Sequence, residues 1–443
     1  MSKKSTRSQA RQSPKKVRMS NTGKGLTWQA GLLPVVKFLN KFGFTGLVQE
    51  TIRHERKGKN AVYELVDGIL FTVIGLIGGA TSMLGVVAVC SDGVLAQLAG
   101  WIRIPDDSTL GRLFKTVKEV HIVQMETLVH RLRARVWRGA LRAGVCSIGA
   151  SSCLCLDGDS TVKTVYGKPE GAEKGYNPQK RGARSYHPLV VFCSSTKEIM
   201  QGWFRCGSAY TSNGIIEFMK ELLAHLPNRT HLFFRADSGF FAGPFLTWLE
   251  CQGHSYLIKV KLKGLTRLLA AQTWTKIKGQ AGWEQCVFWY QCTGWIQARR
   301  FLAVRRLKQD PQTQQWSYDY FCYVTSEELT PWQAHKLYGK RATCETWLDE
   351  AKNQMGLAHL KTADFLANAA LFQCAIVAYN TVRWMALYSG DAVLRRWEVG
   401  TVRAFLVRVA GKLVSGARQY TLKTPDNHLF MDQWLAWVKV GLT

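Results

Sequence analysis

The sequence predicts an α/β fold: a mixed β-sheet interrupted by an all-β insertion, with helical regions before and after it in the chain. Within residues 151–263 the predicted order is strand, strand, strand, helix, strand, helix, strand. Consecutive strands with short connections favour an antiparallel meander, whereas strands separated by helices favour parallel crossovers. Residues 264–330 are aromatic and β-rich, and the flanking regions have apolar residues at the three- and four-residue spacing of helices.

Positive charge is in large excess, with 59 Lys and Arg against 31 Asp and Glu and a net charge of +28. Such an excess repels itself in a compact state and is expected where a polyanion neutralises it. Nucleic acid is the leading candidate partner, and an anionic membrane surface is the alternative. The chain carries ten Lys or Arg before its first acidic residue, Glu50, so its polar start predicts a mobile basic arm.

Residues 68–90 contain no charged residue and are long enough to cross a membrane. Gly78 and Gly79 interrupt this segment, and Asp67 and Asp92 flank it in place of basic anchors. These features favour two short buried helices, so no membrane partner is expected. The 12 cysteines contain no C-x-x-C pair and predict reduced, mostly buried thiols, as in a cytosolic protein.

Acidic residues end two of the predicted strands. Asp157 and Asp159 follow the alternating run CLCL, and the period of two in a strand places both side chains on one face. Asp237 ends the strand FFRA and enters a Ser-Gly turn, at the strand end where open α/β sheets bind ligands. Solvated strand-end turns and metal-binding carboxylates both fit this pattern, and strand geometry does not choose between Asp157 and Asp159.

A third cluster of polar residues lies in the helical segment 338–352. At about 100° per residue, Tyr338, Arg341, Glu345 and Lys352 share a stripe about 60° wide on a continuous helix. A stripe of these polar and charged side chains is poorly suited to face a hydrophobic core. It fits either a solvated face with ion pairs or an active-site face that combines a carboxylate with cations for phosphates.

Four motifs occur in order within residues 150–390: DGDSTV, GYNPQKRGARSYHPLV, RADSGF and the spacing Tyr338-x2-Arg341-x3-Glu345-x6-Lys352. Together they resemble bacterial insertion-sequence DDE transposases, in the group whose RNase-H-like domain carries a β-rich insertion. The resemblance implies an RNase-H-like mixed sheet and a catalytic, metal-binding triad.

The resemblance assigns the triad to Asp159 (the acid of a D-x-T pattern), Asp237 and Glu345, and gives Asp157 no role. It implies that Tyr338, Arg341 and Lys352 contact DNA phosphates near the site.

The implied reaction is DNA transposition by two-metal phosphoryl transfer, with two Mg²⁺ or Mn²⁺ ions per active site. Water frees a 3′-OH at the element end, and this 3′-OH then attacks target DNA. The implied partners are double-stranded DNA, as terminal inverted repeats and target, and a second copy of the chain in a synaptic homodimer. The implied location is the bacterial cytoplasm, with the nucleoid. A related metal-dependent nuclease and a non-catalytic DNA-binding protein are the alternatives.

Two sets of basic residues are candidate DNA contacts outside the signature. Lys180, Arg181 and Arg184 lie in a Gly-containing loop after the first catalytic strand, and the alternative is a solvated basic loop. Arg299 and Arg300 lie among the aromatic residues Trp289, Trp295 and Phe301 of the insertion, where the arginines could bind phosphates and the aromatic rings could stack on bases. Most of those aromatics also suit a sheet core.

The change of texture along the chain predicts six segments. They are a disordered basic arm (1–27), a helical DNA-binding domain (28–150), the first part of the catalytic core (151–263), the β-rich insertion (264–330), the second part of the core (331–390) and a helical C-terminal region (391–443). Within the second segment, residues 92–117 predict helix, turn, helix. This pattern fits a DNA-binding helix-turn-helix or an ordinary helical hairpin.

Overall fold

The structure, a computed structural model, describes residues 16–55, 62–145, 153–178, 180–312, 314–358, 362–416 and 418–442. Its central feature is a nine-stranded mixed sheet. In sheet order, with labels numbered along the chain, the strands are β10 (Thr275–Lys276), β11 (Trp283–Tyr290), β12 (Arg299–Gln309), β13 (Trp316–Thr325), β9 (Ser255–Lys259), β8 (His231–Ala236), β2 (Cys153–Ser160), β6 (Leu189–Cys193) and β7 (Ile199–Trp203).

The α/β part of this sheet has the predicted order of elements. β2, β6 and β7 form the antiparallel meander, and β2, β8 and β9 run parallel. The crossovers contain α8 (Ile215–Ala224) and α9 (Gly243–Cys251), because parallel neighbours cannot be joined by a tight hairpin. The parallel strands therefore end at one edge of the sheet, which is the edge that carries Asp159 and Asp237.

The β-rich insertion continues the central sheet instead of forming a separate one. Its strands β10 to β13 pair antiparallel in sequence, and β13 pairs with β9 through Tyr323↔Lys259 and Thr325↔Leu257. Without β13, β9 would be an edge strand with unpaired backbone N–H and C=O groups. The insertion also contains the short helix α10 (Leu265–Ala270).

The two faces of the sheet are covered by different helices. Leu154 and Leu156 of β2 pack in a core with residues of α8 and α9. The opposite face carries Asp157 and Asp159 and is covered by α11 (Pro331–Gly339) and α12 (Ala342–Asp349). This second face holds the candidate site.

The helical region before the sheet contains seven helices: α1 (Leu32–Lys41), α2 (Phe44–Thr51), α3 (Leu65–Gly78), α4 (Met83–Cys90), α5 (Gly93–Ala99), α6 (Asp107–Lys115) and α7 (Glu119–Arg142). The uncharged segment forms α3 and α4, which meet at 86°, so the prediction of two short helices is confirmed. Gly79 makes the break with a left-handed backbone of φ 102°, which favours glycine.

The longest helix after the sheet is α13 (Phe365–Tyr388), which contacts α1, α3, α6, α7 and β7. It is apolar on nearly all sides because it is surrounded by protein. α13 is the single described helix long and apolar enough to cross a membrane, and 89% of its most apolar window is buried. Because α13 shares one hydrophobic core with α1 to α7, the helical front region packs directly on the second part of the predicted core.

Two small three-stranded sheets complete the structure. The first is formed by the chain segment that connects β2 to β6, and its strands, in sheet order, are β3 (Lys163–Thr164), β5 (Arg184–Tyr186) and β4 (Glu173–Lys174). The second joins β1 (Leu26–Thr27) to β14 (Gly411–Gly416) and β15 (Gln419–Lys423). Residues 26–27, predicted as part of the arm, are thus a paired strand, and residues 1–15 lie outside the described residues.

The C-terminal region also contains α14 (Val399–Val402) and α15 (Met431–Leu442). It is helical as predicted except for the β14–β15 hairpin. None of the described cysteines forms a disulfide bond.

A candidate active site at the carboxyl ends of the central strands

Parallel strand pairing brings Asp159 and Asp237 to the same edge of the sheet. Gly158 of β2 pairs with Ala236 of β8, so the next residue on each strand is one of the two aspartates. The Asp159 side chain is only 14% exposed. Asp237 is half-buried and accepts a hydrogen bond of 2.9 Å from the Gly239 backbone N–H, which caps the short 3₁₀ turn Ser238–Phe240.

Glu345 reaches this edge from the helices that cover the sheet. The predicted continuous helix over 338–352 is not observed: α11 ends at Gly339, α12 begins at Ala342, and Glu350–Gln354 form a π-helical turn. Arg341 N–H bonds to the Tyr338 carbonyl three residues earlier, which tightens the first junction. A stripe calculated for a uniform α-helix is therefore wrong beyond Glu345, and Lys352 lies in the π-helical turn.

Arg341 connects two of the predicted triad members. One Nη atom lies 3.2 Å from Asp159 Oδ2 and the other 3.5 Å from Glu345 Oε1. The same guanidinium donates a 3.1 Å hydrogen bond to the Gly158 carbonyl. Its buried Nε has no hydrogen-bond partner among the described atoms. Arg341 is thus a buried cation placed between two carboxylates, with one donor to spare.

The Asp159 carboxyl group interacts with the charges of the other two acids. Burial, together with the negative charges of Asp237 and Glu345, raises the pKa of Asp159 to about 6 against the opposing effect of Arg341. A buried carboxylate that is repelled by two others is unfavourable when charged, and a cation bound among the three acids relieves that repulsion.

The donor set suits a hard divalent cation, because Mg²⁺ and Mn²⁺ prefer carboxylate oxygens. Among the described residues, however, no three His, Cys, Asp or Glu side chains are close enough to hold one ion together. Glu345 is 70% exposed and its nearest cation is Arg341. The chemistry of the acids fits a divalent cation, but the described arrangement does not bring three of them onto one ion.

A cavity of about 650 Å³ opens beside these acids. Its lining includes Asp237 and Lys352. Tyr176 and His187 of the GYNPQKRGARSYHPLV motif also line it, as do Tyr210 and Lys261, which lie outside the four motifs. Tyr176 and Tyr210 are each 71% exposed, so their rings are available for stacking. Lys261 follows β9 and was recognisable in the sequence only as one of many lysines.

Asp157 has different surroundings from Asp159. It is fully buried and accepts two hydrogen bonds from Arg235, Nε to Oδ1 at 2.7 Å and Nη2 to Oδ2 at 2.8 Å. Asp157 is therefore not the solvated strand-end residue that the sequence allowed, because both of its carboxylate oxygens are bonded to a buried arginine. Arg235 was visible in the RADSGF motif, but strand pairing was needed to place it opposite Asp157.

The family model described as Transposase DDE domain group 1 matches residues 9–438. The chain belongs to this transposase family.

None of the curated proteins matches the transposase by sequence. Among solved structures it is similar to a piggyBac transposase, determined by cryo-electron microscopy as a synaptic complex with hairpin DNA. The two share 14% sequence identity with a TM-score of 0.41, over 91% of this chain and 88% of that chain.

The predicted DNA contacts of the transposase fall into two groups by accessibility. Lys180 and Arg181 are exposed in the loop before β5, and Lys180 Nζ lies 4.9 Å from the centroid of the Tyr166 ring. Arg184 is half-buried and donates to the Ala172 carbonyl at 2.9 Å. Lys180 and Arg181 are therefore the more accessible members of this set.

The two arginines predicted in the insertion are held by the protein. Arg299 is 3% exposed and makes a two-pronged ion pair with Glu250, Nε to Oε1 at 2.8 Å and Nη2 to Oε2 at 2.9 Å. Arg300 donates to the carbonyls of Glu327 and Leu329. By strand alternation, Arg299 lies on the same face as the buried Phe301 and Ala303, which pack in one core with α9. These contacts join the insertion to α9 and to the segment before α11.

Tyr338 and Lys352, the remaining signature residues, flank the acids. Tyr338 is half-buried against Tyr323, with ring centroids 4.8 Å apart, and burial raises its pKa to about 12. Burial lowers the pKa of Lys352, while Asp349 and Asp159 oppose that change. Lys352 is thus a cation within the electrostatic reach of Asp159.

Proposed function

We propose that this transposase cleaves the ends of a bacterial mobile element and joins the freed 3′-OH to target DNA, with Asp159, Asp237 and Glu345 as its catalytic acids. The observation that carries the proposal is the meeting of Asp159 and Asp237 at the ends of paired parallel strands, with Glu345 tied to Asp159 through Arg341. Family membership supports the activity, and the geometry supports the choice of residues.

The three acids would hold two divalent ions, Mg²⁺ or Mn²⁺. Bound there, the ions supply a nucleophilic oxygen at neutral pH and neutralise the charge that develops on the scissile phosphate. The part of the protein in this chemistry is to desolvate Asp159 and to hold the three acids at one end of the sheet, from which they would close on the ions when metal binds. Burial of Asp159 on the sheet serves the first of these tasks.

The cations around the acids would bind the DNA backbone. Lys352 and Lys261 line the cavity beside Asp237, where a phosphate could lie between them. Arg341 has a buried Nε without a partner, which a phosphate oxygen could accept from. We propose that Arg341 exchanges its carboxylate contacts for a phosphate contact when the acids take up metal, with Tyr338 packed beside it.

Outside the site, Lys180 and Arg181 are the proposed contacts to double-stranded DNA, as terminal repeats and as target. Arg184 is also a proposed DNA contact, although it is less accessible. For Arg299 and Arg300 we propose a structural role, because both side chains are bonded within the protein. A homodimer is proposed for the synaptic complex, because two element ends must be joined, and the cytoplasm beside the nucleoid is the proposed location.

The Asp237→Asn variant tests the proposed function. Purified protein is incubated with end-sequence DNA of its own element and Mg²⁺, and cleavage and joining are followed on gels. We expect DNA binding to persist and cleavage to fall at least about 100-fold, since loss of one group that stabilises transition-state charge has that order of effect. Asp426→Asn, at an exposed position, is the matched control and should retain activity.

The products separate the alternatives. Joined strands support a transposase, and nicks without joining indicate a nuclease. Binding without either product indicates a non-catalytic DNA-binding protein. Strand transfer at the wild-type rate by Asp237→Asn would refute the assignment of the triad.

A further inference from the structure

The pair Asp157–Arg235 lies directly behind the proposed triad and has no role in the reaction described so far. Asp157 precedes Asp159 by two residues on β2, and Arg235 precedes Asp237 by two residues on β8. Their Cα atoms are register partners in the parallel pairing of the two strands. Because side chains alternate along a strand, each member lies on the same sheet face as the acid that follows it.

The guanidinium of Arg235 bonds to three separate segments of the chain. It holds Asp157 of β2 through two hydrogen bonds, donates from Nη1 to the Leu337 carbonyl at 2.9 Å and from Nη2 to Ser194 Oγ at 3.1 Å. Leu337 lies in the last turn of α11, directly before the junction that leads to Arg341 and Glu345. Arg235 therefore connects β2 and the end of β8, which lead to Asp159 and Asp237, with α11, which precedes the helix of Glu345.

Both side chains are excluded from solvent, with Asp157 at 0% and Arg235 at 2% exposure. Asp157 is thus closed off from a metal ion or DNA in this arrangement. A buried ion pair is weak evidence for stability, because apolar residues of similar volume often replace such pairs at no cost. What apolar residues could not reproduce is the directed bonding of a planar fork to three oxygen-bearing segments.

We propose that Asp157 and Arg235 are positioning residues that fix the end of α11 to β2 and β8, and so set where the following helix, α12, presents Glu345 beside the strands of Asp159 and Asp237. This inference rests on the proposed function for its catalytic consequence. The positioning role itself does not depend on that function, because it concerns only how α11 and α12 are attached to the sheet. Removing a residue that supports metal ligands in this way commonly weakens metal binding by about 10- to 100-fold.

The test replaces the pair by apolar residues in the full-length protein, as Asp157→Leu combined with Arg235→Met. We expect the variant to fold, with a melting temperature within about 5 °C of wild type, because no buried charge is left unpaired. Amide hydrogen exchange in residues 338–349 should accelerate at least about 10-fold, while β2 and β8 keep their protection. The dissociation constant for Mn²⁺, measured by electron paramagnetic resonance, should rise at least about 10-fold.

Two further variants keep the test decisive. Arg235→Lys retains a charge beside Asp157 but lacks the fork, so it should also accelerate exchange in residues 338–349. Val35→Ala removes buried apolar volume in α1, and it should lower the melting temperature without selective exchange in this segment. Wild-type protection of residues 338–349 in both pair variants would overturn the inference.

The Mn²⁺ measurement separates this inference from the proposed function. Failure of the wild-type protein to bind Mn²⁺ would count against the proposed metal chemistry. The exchange comparison needs no metal and decides the positioning role in either case.

Discussion

Asp157 and Asp159 lie two residues apart on one face of one strand, but their surroundings give them different chemistry. Asp157 is neutralised by the two-pronged bond with Arg235 and is sealed from water. Asp159 is near the surface and is repelled by Asp237 and Glu345, so it gains most from an added cation. The difference arises from β8 and α12, which lie far from β2 in the sequence.

The raised pKa of Asp159 predicts how the metal-free protein responds to pH. Because the folded pKa, about 6, lies above the value of the unfolded chain, the stability associated with protonated Asp159 is complete below the unfolded pKa. It is lost as pH rises through about 6, and a shift of this size corresponds to about 3 kcal/mol. Chemical denaturation in EDTA from about pH 4 to pH 8 should show this loss in wild type.

The Asp159→Asn variant should lack this part of the pH dependence, because the amide does not ionise. Asp426→Asn, an exposed control, should follow wild type. A stability difference between wild type and Asp159→Asn that stays constant across this pH range would contradict the expectation. Added Mn²⁺ should stabilise wild type more than Asp159→Asn at neutral pH.

At the scale of elements, the segment from α11 to the π-helical turn decides where the signature residues lie. The tight junction at Tyr338–Arg341 and the wide turn at Glu350–Gln354 change the angular position of each residue relative to a uniform helix. The π-helical turn is held from outside: Glu350 accepts hydrogen bonds from Arg383 of α13 and from the Val399 backbone N–H at 3.2 Å. Lys352 owes its position beside the acids to this attachment.

The Glu350→Gln variant should therefore destabilise the protein and displace Lys352. Arg383 is 3% exposed, so removal of the carboxylate leaves a buried charge unpaired, at a cost of about 3 kcal/mol. Thermal or urea denaturation measures this loss. Glu217→Gln, an exposed change on α8, is the matched control and should alter the free energy of unfolding by less than about 0.5 kcal/mol. Equal stability of the two variants would show that the Glu350–Arg383 pair contributes little.

At the scale of the whole molecule, the net charge of +28 favours binding to a polyanion, and DNA is the polyanion that the proposed function requires. The exposed residues Lys180 and Arg181 lie in the chain between β4 and β5, close to Tyr176 and thus to the cavity beside the acids. Lys220 is also exposed, but it lies on α8, which packs on the opposite face of the sheet from α12. The charge is thus distributed over both sides, and the function we propose requires only one side to meet the scissile DNA.

The salt dependence of DNA binding tests this assignment. Each phosphate contact contributes about −0.9 to the slope of log K against log salt concentration. The double variant Lys180→Ala/Arg181→Ala should bind more weakly at each salt concentration, with a slope smaller in magnitude by about 2. Fluorescence anisotropy with end-sequence DNA measures the slope, and Lys220→Ala is the control. An unchanged slope in the double variant would remove the loop from the DNA interface.

Much of this architecture is predictable from local patterns. The order of strands and helices in residues 153–259 follows from alternation, helical spacing and connection length, and the structure has that order. Asp237 could be located at a strand end for the same reason. The prediction of a continuous helix over 338–352 was wrong. The tight junction before α12 and the wide π-helical turn after it depend on contacts with β2 and α13, which the spacing of residues in the sequence does not reveal. Arg299 was expected at the surface, and only the pairing of β11 with β12 and its contact with Glu250 placed it inside.

The sequence by itself determined the α/β class, the parallel strands that end in acids, the positive charge and the motifs of the transposase family. These properties follow from composition, from short-range periodicity and from the lengths of the connections, all of which can be read along the chain. The tertiary structure alone decided that the insertion extends the central sheet, that Arg341 lies between two acids and that Asp157 is closed off behind Arg235. Each of these depends on contacts between segments more than 70 positions apart, or on the register of one strand against another, which local patterns do not encode.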